Sequence, residues 1–169
     1  SVSATRGDSD IHQAIEVIKD YGQLPKVTCY ASQLNQVFMN LLSNAIDALE
    51  SKPSPRKITI STSVATDRGS VVSGNNQQTT NNKQQITNYV VIRIADNGPG
   101  ISEEVQQKIF DPFFTTKPVG RGTGLGLSIS HQIVVEKHRG QISCVSAKDK
   151  GAEFIVKIPI IPESFADRQ

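Results

Sequence analysis

The chain is poor in the features that mark a membrane-bound or metal-binding protein. It has no tryptophan, one methionine and two cysteines in 169 residues, and Cys29 and Cys144 lack the spacing of metal ligands. We therefore expect both cysteines to be buried, reduced thiols of a cytosolic protein. No apolar run approaches the ~18 residues that cross a bilayer, and the polar residues 1–10 lack the apolar centre of a signal peptide. The sequence thus predicts a cytoplasmic domain without membrane contact, and leaves open a membrane anchor elsewhere in a parent protein.

A large excess of charge of one sign is also missing. The formal net charge is +2, and the Lys and Arg residues are spread along the chain. A nucleic-acid-binding surface would show as a basic patch or stripe, so we expect no nucleic-acid partner. Apolar residues make up 37% and charged residues 20%, as in ordinary soluble proteins, and the length suits one compact domain.

The hydropathy pattern predicts an α/β chain in the order strand, helix, strand, strand, helix, strand, strand. Ser32 is the expected N-cap of the first helix, and Gly140 is expected to follow the end of the second. A further short helix is expected at residues 102–109. The predicted strands cover residues 14–20, 57–64, 89–95, 141–147 and 152–159, and the two main helices cover residues 32–51 and 124–137.

We expect one domain over residues 13–160, preceded by a flexible lead or linker, residues 1–12, and followed by a tail, residues 161–169. Residues 67–88 contain mainly Asn, Gln, Thr, Ser and Gly, with little apolar content to bury a face. This composition predicts a mobile hairpin loop between the two central strands, with partner binding as the alternative.

The first helix carries a polar stripe. Asn40, Asn44 and Asp47 are spaced i, i+4 and i+7, and Gln36 lies one step earlier on the same face. Such a stripe is usually the solvated side of an amphipathic helix, although asparagine is a poor residue for a helix interior unless its amide has a role. An amide oxygen is a hard, neutral ligand that suits Mg²⁺. The stripe alone permits either interpretation.

A second motif, Asp96-Asn97-Gly98-Pro99-Gly100, follows directly after a predicted strand. Gly and Pro at such a place usually mark a simple turn. The alternative is a carboxylate that accepts a hydrogen bond from the exocyclic amine of a ring, with glycines that let the backbone approach the ligand.

Alternating glycines mark residues 120–127, GRGTGLGL, where the second helix begins. Because four glycines lower helix stability, they need a reason, and close approach of backbone amides to phosphates at a helix N-terminus is one. A flexible surface loop is the alternative. The spacing matches neither the P-loop nor the dinucleotide-binding motif.

Residues 110–117, FDPFFTTK, hold three of the six phenylalanines. These rings could anchor an irregular loop to the core. They also suit a lid that closes on a ligand, with Lys117 and Arg121 placed to meet phosphate oxygens.

In order and spacing these motifs resemble those of sensor histidine kinases. The segments NLLSNAIDA (40–48), DNGPG (96–100), FDPFFTTK (110–117) and GTGLGLS (122–128) resemble that family's Asn box, first glycine box, Phe box and second glycine box. The resemblance implies a two-layer α/β sandwich, the Bergerat fold, in which about three helices pack on one face of a mixed, mostly antiparallel sheet. Gyrase, mismatch-repair and heat-shock chaperone ATPases share this fold.

The resemblance also implies a site for ATP. Asp96 would accept the adenine amino group, and Gly98 and Gly100 would let the loop come close. Asn44 would coordinate Mg²⁺, with Asn40 assisting from the same helix face. A lid over residues 101–123 would cover the triphosphate. The other implied nucleotide-binding residues are Ile101, Asp47, Phe110, Thr116, Lys117, Arg121, Gly122, Thr123, Gly124, Leu125, Gly126 and Leu127.

The implied activity is transfer of the γ-phosphoryl group of Mg-ATP to a His on a separate dimerisation domain, for relay to the receiver domain of a response regulator. Asn40, Asn44 and Lys117 are then the catalytic residues. Hydrolytic members of the superfamily carry Glu at the position of Asn40, and an amide cannot take a proton from water. This favours a kinase over the alternatives, a gyrase- or chaperone-type conformational ATPase and a degenerate nucleotide-binding or scaffolding module.

Two departures from the complete kinase pattern stand out. His12, His131 and His138 are expected to be bystanders, so the acceptor His would lie outside this chain, in another domain of a longer kinase. Ala152 stands where the family often has Thr, so a polar contact near the adenine is expected to be absent or water-mediated.

Overall fold

The computed structural model describes residues 14–68 and 86–161. The predicted lead, 1–12, and nearly all of the predicted tail, 161–169, lie outside these residues. The elements are β1 (Ile15–Tyr21), α1 (Ala31–Leu49), β2 (Arg56–Arg68), β3 (Ile86–Asp96), α2 (Glu103–Gln106), α3 (Gly126–His131), a π-helix (Gln132–Lys137) that continues α3, β4 (Gln141–Ser146) and β5 (Ala152–Pro159).

The strands form one five-stranded sheet in the order β1-β2-β3-β5-β4. Only β1 pairs in parallel with its neighbour, and the other pairs are antiparallel. Every second residue of β5 is buried, and these side chains join a core shared with α1 and the π-helix. Because α1, α3 and the π-helix cover this one face, the predicted fold of a mixed sheet under a layer of helices is confirmed.

The packing of α1 fixes which of its faces is open. Leu34, Val37, Leu41, Ala45 and Leu49 are buried at helical spacing against the sheet. Burial of each large aliphatic side chain stabilises the fold by roughly 1.5–3 kcal/mol, so this face determines the rotation of the helix. The polar stripe is consequently held beside the core, at the edge where α3 and the loop after β3 approach.

The two central strands are longer than predicted. β2 and β3 pair from Ile58 opposite Asp96 to Arg68 opposite Ile86, so five of the residues assigned to the polar loop belong to strands. Polar side chains sustain this extension, because Thr66 Oγ1 donates to Asn88 Oδ1 at 2.8 Å across the ladder. The backbones of β2 and β3 stay paired here although neither strand buries a side-chain face, so the hydropathy pattern gave no sign of the extension. The rest of the predicted mobile loop, 69–85, lies outside the described residues.

The start of α1 differs from the predicted serine cap. The helix begins at Ala31, and Tyr30 occupies the N-cap position without a capping side-chain bond. The Tyr30 backbone N–H instead donates to Nε2 of His138 at 3.0 Å, while its carbonyl accepts from Leu34 N at 3.0 Å. A distant imidazole therefore anchors this end, so the Ser32 prediction is wrong.

The second predicted helix also begins and ends differently. It starts at Gly126 rather than at residue 124, and it widens into a π-helix at Gln132. Arg139, with φ of 52°, takes the left-handed conformation expected of Gly140. Gly140 is required for another reason, because a Cβ there would overlap the Lys157 carbonyl oxygen on β5.

Candidate functional site

A cavity of about 600 Å³ lies between the polar stripe of α1, the end of β3 and the glycine-rich segment before α3. Fourteen of the residues implied by the family resemblance line it: Asn40, Asn44, Asp47, Asp96, Gly100, Ile101, Thr116, Lys117, Arg121, Gly122, Thr123, Gly124, Gly126 and Leu127. The motifs, which extend from Asn40 to Leu127 in the sequence, thus converge on one concave surface, as a ligand site requires.

Three of the implied residues do not line the cavity. Gly98 supports Asp96 from behind, and Leu125 occupies the N-cap position of α3. Phe110 packs against Phe154 and His131, with ring centroids 6.5 Å and 5.6 Å away. We therefore assign these three residues to the support of the site rather than to direct contact.

Asp96 lines the cavity at the point where β3 ends. Its Oδ1 accepts a hydrogen bond from the Gly98 N–H at 2.8 Å, and the backbone N–H of Ala152 also donates to the carboxylate. Burial raises the pKa of Asp96 above its ordinary value, against the lowering effect of these two backbone bonds. The carboxylate is thus oriented by backbone groups and remains an acceptor for a ligand amine.

Two glycines let the backbone after Asp96 pack closely against neighbouring segments. At Gly98, a Cβ would lie 2.7 Å from Asp96 Oδ1 and 3.2 Å from the Ala48 carbonyl oxygen on α1. Gly100, with φ of 78°, passes so near the Ala147 carbonyl that a side chain would overlap it. The DNGPG segment is therefore a turn whose glycines fix the carboxylate, which combines the two interpretations of this motif.

The Asn40 side chain joins α1 to α3. Its Nδ2 donates to the Gly126 carbonyl oxygen at 3.1 Å and to Ser130 Oγ at 3.2 Å. Ser130 Oγ in turn donates to the same Gly126 carbonyl at 2.8 Å. The amide nitrogen is therefore occupied by α3.

Asn44 has a different environment. It lines the cavity one turn further along α1, and within residues 14–68 and 86–161 its side chain has no hydrogen-bond partner. No group of three or more His, Cys, Asp or Glu side chains in that part of the chain could hold a metal ion. Amide oxygens fit Mg²⁺ nevertheless, because this ion is commonly held by one or two protein oxygens together with phosphates and water.

Two cations of the predicted lid reach back to α1. The ammonium group of Lys117 pairs with the Asp47 carboxylate, and both side chains are about one-third exposed. Arg121 pairs with Glu50 at 3.5 Å, with both side chains largely exposed. The segment thus lies across the mouth of the cavity, with its positive charges directed at the helix that carries the amides.

The backbone of this segment is tightly folded. Phe113 has φ of 64° and a 75% exposed side chain, and its carbonyl oxygen would lie 2.6 Å from a Cβ at Gly124. Gly124 itself has φ of 68°. Phe114 faces the other way and lines the cavity. The second glycine box is therefore needed for backbone packing as well as for any ligand.

Ten further residues line the cavity, although the sequence analysis did not assign them to nucleotide binding: Ser43, Ala48, Pro99, Ser102, Val105, Ile109, Phe114, Thr115, Ala152 and Phe154. A signal existed for Ser43, which lies three residues after Asn40 and four before Asp47, on the same helix stripe. The family resemblance placed Ala152 near the adenine, and in the structure Ala152 pairs with Asp96 across the sheet.

His131 and His138 both contact other parts of the fold. His138 is buried, with Nε2 accepting from the Tyr30 N–H and Nδ1 donating to the Ile133 carbonyl at 2.9 Å. Both ring nitrogens are thus occupied by backbone groups. His131 packs against Phe110, and His12 lies outside the described residues.

The two cysteines differ. Cys29 is exposed, so the prediction of a buried thiol is wrong there, because the segment before α1 runs over the surface. Cys144 is half-buried, and burial together with the charge of Asp96 raises the pKa of its thiol to about 11. Across the described ranges, no helix combines the length and apolarity needed to cross a bilayer.

Comparison with known proteins identifies the family. Residues 29–162 match the family described as histidine kinase-, DNA gyrase B-, and HSP90-like ATPase. The chain is 36% identical over 132 residues to the two-component sensor PprA of Pseudomonas aeruginosa, covering 77% of the chain and 12% of that protein. It is 37% identical over 155 residues to the sensor kinase CckA of Brucella abortus, covering 90% of the chain and 15% of that protein.

A solved structure agrees with these relatives. The catalytic domain of the histidine kinase ThkA superimposes with a TM-score of 0.63 at 31% identity, covering 88% of this chain and 82% of that one. ThkA has also been solved in complex with the response regulator protein TrrA, matching at 29% identity with a TM-score of 0.59 and covering 88% of this chain and 35% of that one. The chain spans 12% and 15% of the length of the two curated relatives. It therefore belongs to the family of histidine kinase-, DNA gyrase B- and HSP90-like ATPases, and within it to the ATP-binding domains of sensor histidine kinases.

Proposed function

We propose that this domain binds Mg-ATP in the described cavity and presents the γ-phosphoryl group to a His on a separate dimerisation domain of a longer kinase. A receiver domain of a response regulator would then take the phosphoryl group, as the complex of ThkA with TrrA suggests. The observation that carries the proposal is that the Asp96 carboxylate, two amides and two cations line one cavity.

The adenine would bind beside Asp96. There the carboxylate would accept a hydrogen bond from the amino group of the base, since the Gly98 N–H already holds Oδ1 in place. Ile101 and Phe154 provide apolar wall beside it. The Ala152 backbone N–H donates to the carboxylate, as that of a Thr would, and its methyl side chain adds no polar contact of its own.

The triphosphate would extend towards the glycine-rich segment. Lys117 and Arg121 would exchange their carboxylate partners for phosphate oxygens, because both cations line the cavity. Asn44, with Asn40, would hold Mg²⁺ through amide oxygens. When bound, the ion would neutralise charge on the phosphates and help to align the γ-phosphoryl group for transfer.

Slow hydrolysis is part of the proposal. Asn40 stands where hydrolytic relatives use Glu, and a neutral amide is not basic enough to take a proton from water. This disfavours a gyrase- or chaperone-type ATPase. The cytoplasmic location remains a prediction, since ATP and response regulators are found there.

Isothermal titration with ATP, with and without Mg²⁺, tests the proposal first. We expect binding that Mg²⁺ strengthens, followed by phosphoryl transfer when a separately made, His-bearing helical hairpin is added. No binding of adenine nucleotides at millimolar concentration would contradict the proposal and favour a degenerate module. Fast ATP turnover without the hairpin would favour the conformational ATPase instead.

A further inference from the structure

Ser130 is a buried polar residue that the proposed function does not yet use. It is fully buried within α3, although a serine in a helix interior usually weakens the helix. Its hydroxyl donates to the Gly126 carbonyl one turn earlier and accepts from Asn40 Nδ2 on α1. Both hydrogen-bonding roles of the hydroxyl are thus filled, and one of them reaches the proposed metal-binding helix.

This arrangement fixes which end of the Asn40 amide serves the cavity. The nitrogen has two hydrogens, and the structure offers it two acceptors, the Gly126 carbonyl oxygen at 3.1 Å and Ser130 Oγ at 3.2 Å. A flipped amide would place its oxygen against the Gly126 carbonyl oxygen, where no hydrogen bond forms. Because Asn40 lines the cavity, its oxygen is the end that remains available to a ligand there.

We infer that Ser130 is a positioning residue, which holds the Asn40 amide with its oxygen available to Mg²⁺ or to a water molecule bound to the ion. The inference rests on the proposed function, since it assigns a role within that site. The two amides would then act differently. The Asn40 oxygen is oriented before the ion binds, whereas the Asn44 side chain, which has no hydrogen-bond partner among the described residues, would orient itself on binding.

The variant Ser130→Ala tests this role. Alanine keeps the helix and removes the acceptor, so the amide can rotate more freely. In isothermal titration, we expect the gain in ATP affinity on adding Mg²⁺ to fall by about threefold to tenfold, the size of one hydrogen bond. ATP affinity without metal should stay within about twofold of the wild type, because Ser130 is absent from the nucleotide-lining wall.

Ser128→Ala is the matched control. Ser128 lies in the same helix and donates to the Leu125 carbonyl at 3.0 Å, but it makes no hydrogen bond with Asn40. We expect this variant to keep the full Mg²⁺-dependent gain. An unchanged gain in Ser130→Ala, or equal losses with and without Mg²⁺, would overturn the positioning role.

A second measurement needs no variant. In nuclear magnetic resonance spectra of the wild-type chain, the two side-chain amide protons of Asn40 should exchange slowly with solvent, whereas those of Asn44 should exchange fast. Rapid exchange at Asn40 would contradict the inference even if Ser130→Ala failed to fold. A wild-type chain that binds no ATP would instead contradict the proposed function, so the two failures can be told apart.

Discussion

At the scale of single residues, the cavity combines a half-buried carboxylate with one amide whose hydrogen-bond partners are already set by the fold. Asp96 is held by two backbone N–H groups, and Asn40 by a carbonyl and a hydroxyl of α3. Because these side chains are already ordered, a ligand would lose less conformational entropy on binding, which would favour the proposed contact of Asp96 with the adenine edge.

The variant Asp96→Asn should weaken ATP binding by about 1.5–3 kcal/mol, the scale of a hydrogen bond to a charged group, or about 10-fold to 150-fold. Asparagine has the same shape but presents a neutral amide to the amino group of the base. Titration calorimetry of ATP and of GTP measures this. GTP, which lacks the amino group at that ring position, should be affected much less, and equal losses for both would argue against the assigned contact.

The same variant should stabilise the domain at neutral pH. Burial raises the pKa of Asp96 in the folded chain above the value of about 3.9 expected in the unfolded chain. The free energy of unfolding therefore falls as the pH rises from the unfolded-state pKa through the folded-state pKa. Asparagine does not ionise and escapes this loss. The melting temperature of Asp96→Asn relative to the wild type should therefore increase from pH 4 to pH 7 in thermal scans. A difference that is constant or shrinks with pH would contradict the cause assigned to the pKa.

At the scale of elements, the two lid cations are not equivalent. The Lys117–Asp47 pair is about one-third exposed, whereas the Arg121–Glu50 pair is mostly exposed and therefore contributes little. A phosphate at Lys117 would be screened less by water and salt than one at Arg121.

We accordingly expect Lys117→Met to lower the affinity for Mg-ATP by roughly tenfold, and Arg121→Met by less than about threefold. The loss in Arg121→Met should also disappear at high salt concentration, whereas that in Lys117→Met should persist. Calorimetry at two ionic strengths measures both, and the reverse ranking would show that the lid binds phosphate in another arrangement.

His138 connects elements far apart in the sequence. Replacement by alanine would leave the Tyr30 N–H and the Ile133 carbonyl without their partner and would open a space in the core. We expect His138→Ala to lower the free energy of unfolding by about 2–4 kcal/mol in urea titrations. His131→Ala, which removes only a ring contact with Phe110, is the control and should cost less than about 1.5 kcal/mol. Equal losses would contradict an anchoring role for His138.

The order and type of the main elements followed from the sequence because each has a strong period, as in the buried positions of α1. The helix ends did not, since Tyr30 is held by an imidazole 108 residues away and Gly140 by close contact with β5. Most residues of the cavity wall were predicted because they belong to short contiguous sequence motifs. The position of Phe154 in the wall, which β5 contributes, and the contact of Ser130 with Asn40 depend on packing that local pattern does not encode.

At the scale of the whole molecule, the site and the described ends of β2 and β3 at Arg68 and Ile86 lie at opposite ends of these two strands. Asp96 pairs with Ile58 at one end of these strands, and Ile86 pairs with Arg68 at the other. Ten residue steps along β2 correspond to about 30 Å. The cavity is lined by residues at the Asp96 end, and none of its lining residues belongs to the far end of β2 or β3.

Replacement of residues 69–85 by Asn-Gly should therefore leave the ATP affinity within about twofold, because a two-residue turn joins paired antiparallel residues such as Arg68 and Ile86. A shorter version that joins Thr66 to Asn88 with the same turn keeps the register and is the matched comparison. It should bind ATP equally well but melt at a lower temperature, since it removes two ladder pairs. If either variant lost ATP binding while its melting transition stayed cooperative, the segment would have to contribute to the site. Loss of transfer to the His-bearing hairpin with ATP binding intact would instead favour the partner-binding alternative for this segment.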